Sequence, residues 1–117
     1  MNSDIDALLP LQPATFHILV ALAEDERHGY AIMQEVAERT RGTVTLSAGT
    51  LYRSIQRMLD QGLLSEVRHR PAAQNDDERR RYYRITPLGT AVARAEARRL
   101  ADMLKLARAR GLAPEGR

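Results

Sequence analysis

At 117 residues the chain is long enough for one domain with its own hydrophobic core and too short for two generous ones. Its formal net charge is +3, and it has no cysteine, which excludes a disulfide framework and any thiolate metal site. No apolar run approaches the roughly 20 residues that span a bilayer, and residues 1–6 are acidic where a secretory leader is basic, so a cytoplasmic protein with no membrane partner is expected.

The charge is unevenly placed. Residues 1–52 hold three arginines against seven acids, whereas residues 53–117 hold fifteen basic residues against eight acids. Seventeen of the eighteen basic side chains are arginine, whose planar fork suits phosphate and guanine; genome composition yields the same bias.

In chain order, residues 1–12 read as an arm with a small apolar stripe of Ile5, Leu8 and Leu9, interrupted by Pro10 and followed by Pro13. Pro13 is well placed at a helix start. Phe16, Ile18, Leu19, Val20, Leu22 and Ala23 predict a helix buried almost all round, ended by the polar run Glu24-Asp25-Glu26-Arg27. A second helix is expected from about Gly29 to Thr40, with Tyr30, Met33, Val36 and Ala37 on its packed side and Gly42 as its stop. Thr43-Val44-Thr45-Leu46 has the β-branched alternation of a very short strand.

The next segment is the most informative. Ser47 is a good N-cap, Leu51, Ile55, Met58 and Leu59 form an apolar stripe at helical spacing, and Gly62 closes the helix where a left-handed residue costs least. At about 100° per residue the opposite face carries Gly49, Arg53, Gln56 and Asp60, flanked by Thr50 and Arg57. Arg reads guanine bidentately, Gln reads adenine, and Thr hydroxyls and free helix amides suit phosphate. An ordinary solvated face with two arginines is the alternative.

Residues 63–70 and 81–86 read as strands of a hairpin whose long polar tip is residues 71–80. Tyr83 and Ile85 are expected inward and Tyr82 outward. Thr86 then caps a helix with Pro87 at its first position, running to about Arg110 before Gly111 and Pro114. That helix has two apolar faces. Leu88, Ala91, Val92 and Ala95 can pack on the chain's own domain, while Ala97, Leu100, Met103, Leu104 and Ala107, with Ala93, fit a partner helix in a coiled-coil-like seam. Contact with the chain's own first helix is the alternative for the second face.

The order helix, helix, short strand, helix, hairpin, helix is that of a winged helix-turn-helix. The expected fold class is mainly α with a small β-hairpin wing: an arm over 1–12, a DNA-binding domain over 13–86, and a dimerisation helix and tail over 87–117. His28-Gly29-Tyr30, the run Leu46-Ser47-Ala48-Gly49-Thr50-Leu51-Tyr52, Gly62-Leu63-Leu64, and Arg81-Tyr82-Tyr83-Arg84-Ile85-Thr86-Pro87-Leu88-Gly89 resemble the PadR family of transcriptional regulators in order and spacing. Three departures stand out. Arg53 occupies a position where the family often has proline. Asp25-Glu26 replace a common Gly-Pro, and the wing tip is charged rather than glycine-rich.

The resemblance implies that Ser47, Thr50, Tyr52 and Arg53 lie against the DNA backbone and major groove, and that the last helix makes a dimer. Gln56 and Arg57 join them from the face analysis. Tyr52 borders that face and has packing as its other reading. Arg79, Arg80 and Arg81 either track phosphates or pair with Asp76, Asp77 and Glu78.

Some relatives, the resemblance implies, sense small aromatic or drug-like molecules near the dimer interface, often through tryptophan. This chain has no Trp and one Phe. A small-molecule effector is therefore unidentified, with Phe16, Ile18 and Met103 as candidate lining and core packing as their plainer role. Catalysis finds no support: His17, His28 and His69 fall on three elements, and no paired-carboxylate or phosphate-loop signature appears. No cofactor or metal is expected, since the acidic tip lacks the glycine of a cation loop.

The expected function is sequence-specific binding of double-stranded DNA by a homodimeric regulator, a repressor on a palindromic operator. A winged-helix protein-interaction module without DNA binding is the alternative, motivated by the acidic first half and acidic wing tip.

Overall fold

The computed structural model of the chain describes residues 3–67 and 81–114. Its elements are α1 (Ser3–Asp6), α2 (Pro13–Ala21), β1 (Arg27–His28), α3 (Gly29–Arg39), α4 (Ala48–Asp60), β2 (Leu64–Val67), β3 (Tyr82–Ile85) and α5 (Pro87–Ala109). The strands form one antiparallel sheet in the order β1-β3-β2. His28 stands opposite Tyr82 in one pairing, and Leu64 opposite Ile85 in the other. The fold is mainly helical with a small sheet, as the sequence predicts.

One strand is not where the sequence places it. Residues 43–46 are a loop in which Val44 and Leu46 are half-buried while Thr43 and Thr45 are exposed. Their alternation therefore reports burial, not sheet pairing. Thr40 takes the place of a strand partner: its hydroxyl donates to the Val36 carbonyl at 2.8 Å and accepts from the Val44 N–H at 3.0 Å. The third strand comes instead from Arg27 and His28, two residues that sit at the end of a polar run and are too few to show any period.

Helix ends follow local chemistry. At α4, Gly62 adopts φ +79, its N–H donates to the Leu59 carbonyl at 3.1 Å, and the Leu63 N–H donates to Met58 at 2.8 Å. These two bonds make a Schellman closure, with Leu63 and Met58 both fully buried beneath it. At α3 the left-handed turn begins one residue before the expected Gly42, at Arg41 with φ 53.

The core is assembled from all the longer elements: Ile18, Leu19 and Leu22 from α2 and its end, Ile32 and Val36 from α3, Leu51, Ile55 and Met58 from α4, then Leu63, Leu64, Tyr83 and Val92. Each aliphatic side chain so buried contributes about 1.5–3 kcal/mol. Three expectations need correction. Val20 and Ala23 are exposed, so α2 is not buried all round. Tyr30 is 55% exposed, because the packed stripe of α3 runs through Gly29, Ile32 and Val36, and Tyr30 lies about 200° around the helix from Ile32. Leu88 is also exposed, leaving Val92 as the buried residue of that face of α5.

Residues 5–11 are fastened to the body. Ile5, Leu8, Leu9 and Leu11 pack against the core, and α1 touches α5. Under this contact lies Glu96, 2% exposed, which accepts two bonds from Arg99 at 2.8 and 2.9 Å. The Arg99 fork holds the Glu96 carboxyl below its ordinary value of 4.5, aided by the Leu11 backbone N–H, while burial pulls the other way. A lowered folded-state pKa means stability that is present above the ordinary value and lost as pH falls through the lowered one. Urea denaturation should accordingly show the unaltered protein exceeding Glu96→Gln in stability at pH 7, with the gap narrowing as pH falls below the ordinary value of 4.5. A pH-independent gap would show that the carboxylate charge does not anchor this contact.

Candidate nucleic-acid interface

The side chains that point out from α4 are held there by a helix with a well-defined start. Ser47 accepts the Thr50 N–H at 3.1 Å and its hydroxyl also donates to the Thr50 hydroxyl at 3.1 Å. Leu51, Ser54, Ile55 and Met58 are buried, so Gly49, Arg53, Gln56, Arg57 and Asp60 are left exposed on the other side, with Thr50 half-buried at the margin. The outward face is the one expected from the sequence, while the buried stripe gains Ser54 and holds Leu59 only half-buried.

Each polar group on that face has a definite setting. Arg53 folds back along the first turn, where Gly49 makes room: a Cβ there would stand 3.3 Å from its Nη1. Gln56 donates from Nε2 to Asp60 Oδ1 at 3.1 Å. Arg57 donates from Nη1 to Gln12 Oε1 at 3.4 Å, so it leans toward the start of α2. No sequence signal marks Gln12 for that role, since it lies 45 residues away.

Tyr52 is 48% exposed and its ring rests on Gly29. A Cβ at Gly29 would overlap the phenol, approaching 2.8 Å from Cζ. Both readings of Tyr52 therefore keep a physical basis, one edge packing on α3 and the other facing solvent. The preceding His28 caps α3, accepting the Ala31 N–H at Nδ1 at 3.1 Å, and its ring stands edge-on to Tyr82 of the wing at 5.3 Å. Beneath them burial, reinforced by Glu66 and Tyr52, raises the Tyr83 hydroxyl above its ordinary value, against a smaller opposing effect from Arg81.

Of the wing arginines, Arg81 approaches Glu66 across the hairpin at 3.6 Å; Arg79 and Arg80, like the acidic tip, lie outside the described residues. Arg27 and Arg39 are engaged inside the domain. Arg27 donates to the Ala21 carbonyl at 2.8 Å and pairs with Glu35 at 3.6 Å, and Arg39 pairs with the same Glu35.

On α5, Ala97, Leu100, Met103 and Leu104 are exposed and Ala107 is half-buried. Leu106, not singled out from sequence, is exposed as well. Phe16, Ile18 and Met103 are not among the residues that line the space between α1 and α5. The space of about 580 Å³ found among the described residues lies between α1 and α5 and is lined by Asp6, Leu9, Arg94, Arg98 and their neighbours. No helix of the described residues is long and apolar enough to cross a membrane.

Gly29 carries the packing of α4 on α3 at this face. Gly29→Ala should displace the Tyr52 ring and cost about 1–3 kcal/mol, as overpacking of a tight contact does. Thermal unfolding measures the cost, and the double variant Gly29→Ala/Tyr52→Ala should recover most of it; a failure to recover would place the clash elsewhere.

The transcriptional regulator PadR-like family model matches residues 18–95. A transcriptional regulator of Mycobacterium tuberculosis is 37% identical over 90 residues, covering 76% of this chain and 77% of that protein. An uncharacterized protein of Lysinibacillus sphaericus is 35% identical over 74 residues, covering 63% of this chain and 65% of that one, so the match spans just under two thirds of that relative's length. A solved transcriptional regulator of Clostridium thermocellum superposes with a TM-score of 0.69 at 24% identity, over 91% of this chain and 93% of that one. Bacillus subtilis PadR in complex with operator DNA superposes with a TM-score of 0.63 at 19% identity, over 74% of this chain and 47% of that one. The structural matches establish the fold, and the family model covers well over half of the sequence: the chain belongs to the PadR-like family of transcriptional regulators.

Proposed function

We propose that the protein is a homodimeric repressor that places two copies of α4 in successive major grooves of a palindromic operator. The observation that carries this reading is the outward face of α4, where Arg53, Gln56 and Arg57 stand exposed beyond a capped N-terminus. The fold shared with a PadR solved on operator DNA supports it. Arg53 is the central base reader, with guanine as its natural target, and Gln56 reads adenine. Ser47 and Thr50 join the free amides of the first turn in holding phosphate, with Tyr52 and Arg57 at the two margins and Arg79, Arg80 and Arg81 tracking phosphates from the wing. A base-reading face and a phosphate-holding rim on one helix is the division of labour that sequence-specific binding needs.

The second copy is supported by α5. Leu100 is 40% exposed and Met103 53% exposed, and with Ala97, Leu104 and Ala107 they recur at the spacing of a helix–helix seam. A monomer would leave this surface wet. Two-fold symmetry then fixes the separation of the half-sites at about one helical turn of DNA or a multiple.

Selecting bound duplexes from a random pool should return an inverted repeat with that spacing, and a reporter driven through the recovered site should be silenced by the protein. Arg53→Ala should weaken operator binding by about 1–3 kcal/mol and relax preference at one position of each half-site; unchanged binding would remove Arg53 from the interface. Leu100→Asp with Leu104→Asp should sediment as a monomer and lose the tight, inverted-repeat binding. A persistent dimer would move the interface off this face.

A further inference from the structure

Asp60 is the one acid on the outward face of α4, and its position is costly in two ways. It is the last residue of the helix, where a negative charge opposes the helix dipole, and it shares a face with the groups that would meet phosphate. Among the described residues its carboxylate takes a single bond, from Gln56 Nε2 at 3.1 Å. Such i,i+4 pairs stabilise a helix only slightly, a gain of the same order as the unfavourable placement at the helix end. Stability is therefore a poor reason for an acid here, and the geometry of the bond supplies a better one.

A carboxylate only accepts hydrogen bonds, so it fixes which end of the Gln56 amide faces it. The NH2 group must turn toward Asp60, leaving Oε1 and the second N–H free in a set order. That order is complementary to adenine, which offers an acceptor at N7 and a donor at N6 in the major groove. Guanine offers two acceptors, N7 and O6, so an amide that cannot flip sets its Oε1 against one of them.

We infer that Asp60 is a positioning residue for DNA recognition, holding the Gln56 amide in the single orientation that reads adenine while its charge suppresses binding to arbitrary duplex. This rests on the reading of α4 as the helix that enters the groove. Specificity is a difference of affinities, and one acid acts on both sides of it: it sharpens the favoured contact and penalises contact with phosphate alone.

The test compares the full chain with Asp60→Asn, Asp60→Glu, Gln56→Ala and the double variant Gln56→Ala/Asp60→Asn, by selection from a random duplex pool and by titration of a random duplex at low salt. Gln56→Ala should abolish an adenine preference of roughly tenfold at one half-site position. Asp60→Asn, whose amide accepts either orientation of Gln56, should reduce that preference roughly three- to tenfold while raising affinity for random duplex severalfold. Asp60→Glu, which keeps charge and acceptor, should retain both properties. In the Gln56→Ala background, Asp60→Asn should change only the random-duplex affinity.

A preference intact in Asp60→Asn overturns the inference, as does a loss of equal size in the Gln56→Ala background, which would make Asp60 itself the base reader. A preference lost only in step with a lowered unfolding temperature makes the bond structural and overturns it too. Absence of duplex binding by the unaltered protein overturns the DNA-binding reading together with this one, whereas normal binding with no base position sensitive to Gln56→Ala overturns this one alone.

Discussion

The junction at Thr86 is the constraint on which the rest of the structure depends. Its N–H donates to the Leu63 carbonyl at 3.1 Å, its hydroxyl donates to the Gly62 carbonyl at 2.7 Å, and the same hydroxyl accepts the Gly89 N–H at 2.9 Å. One side chain thus caps α5 and satisfies the turn that closes α4. Gly89 completes the joint. A Cβ there would overlap the Leu63 carbonyl oxygen and come within 2.9 Å of Ile85 Cγ1. The end of α4, the start of β2, the end of β3 and the start of α5 are consequently held as one rigid unit. If two copies join along α5, this joint sets the distance and angle between the two α4 helices, and with them the spacing of the half-sites.

The outward face of α4 gains its order from its surroundings. Gly29 clears a seat for the Tyr52 ring, His28 caps α3 and meets the wing through Tyr82, and Gln12 reaches Arg57 from the start of α2. Side chains already restrained lose less freedom when they meet a ligand, so restraint of this kind favours affinity without adding a contact. Arginines are spent on this framework as well. Arg27 and Arg39 converge on Glu35, and Arg99 grips Glu96, so the count of basic residues overstates the charge available to a polyanion.

Much of this protein was legible before folding. Ser47, Gly62, Thr86 and Pro87 mark helix ends because their preferences are local, resting on a cap, a left-handed turn or a missing N–H. The apolar spacing of Leu51, Ile55 and Met58 likewise fixed which side of α4 looks outward. Where local preference and long-range burial diverged, the sequence misled. Thr43-Val44-Thr45-Leu46 alternates like a strand but is bonded to Thr40 rather than to a strand among the described residues, while Arg27-His28 forms a strand with no alternation to show because β3 lies alongside it. Tyr30 looks like a core residue by type and faces solvent by geometry.

The sequence by itself determined the class of the fold, the capped helix with its polar face and the second apolar face of α5, because each depends on periodicity and termini that a short window contains. Tertiary structure alone decided that Gly29 makes room for Tyr52, that Gln12 holds Arg57, that Glu96 anchors the segment before α2, and that Thr86 binds the end of α4 to the start of α5. Most of these join residues 20 or more positions apart, and the two closer ones, Thr86 with Gly89 and Glu96 with Arg99, gain their meaning from what else they touch. Such contacts arise from packing in space, for which a linear pattern carries no signal.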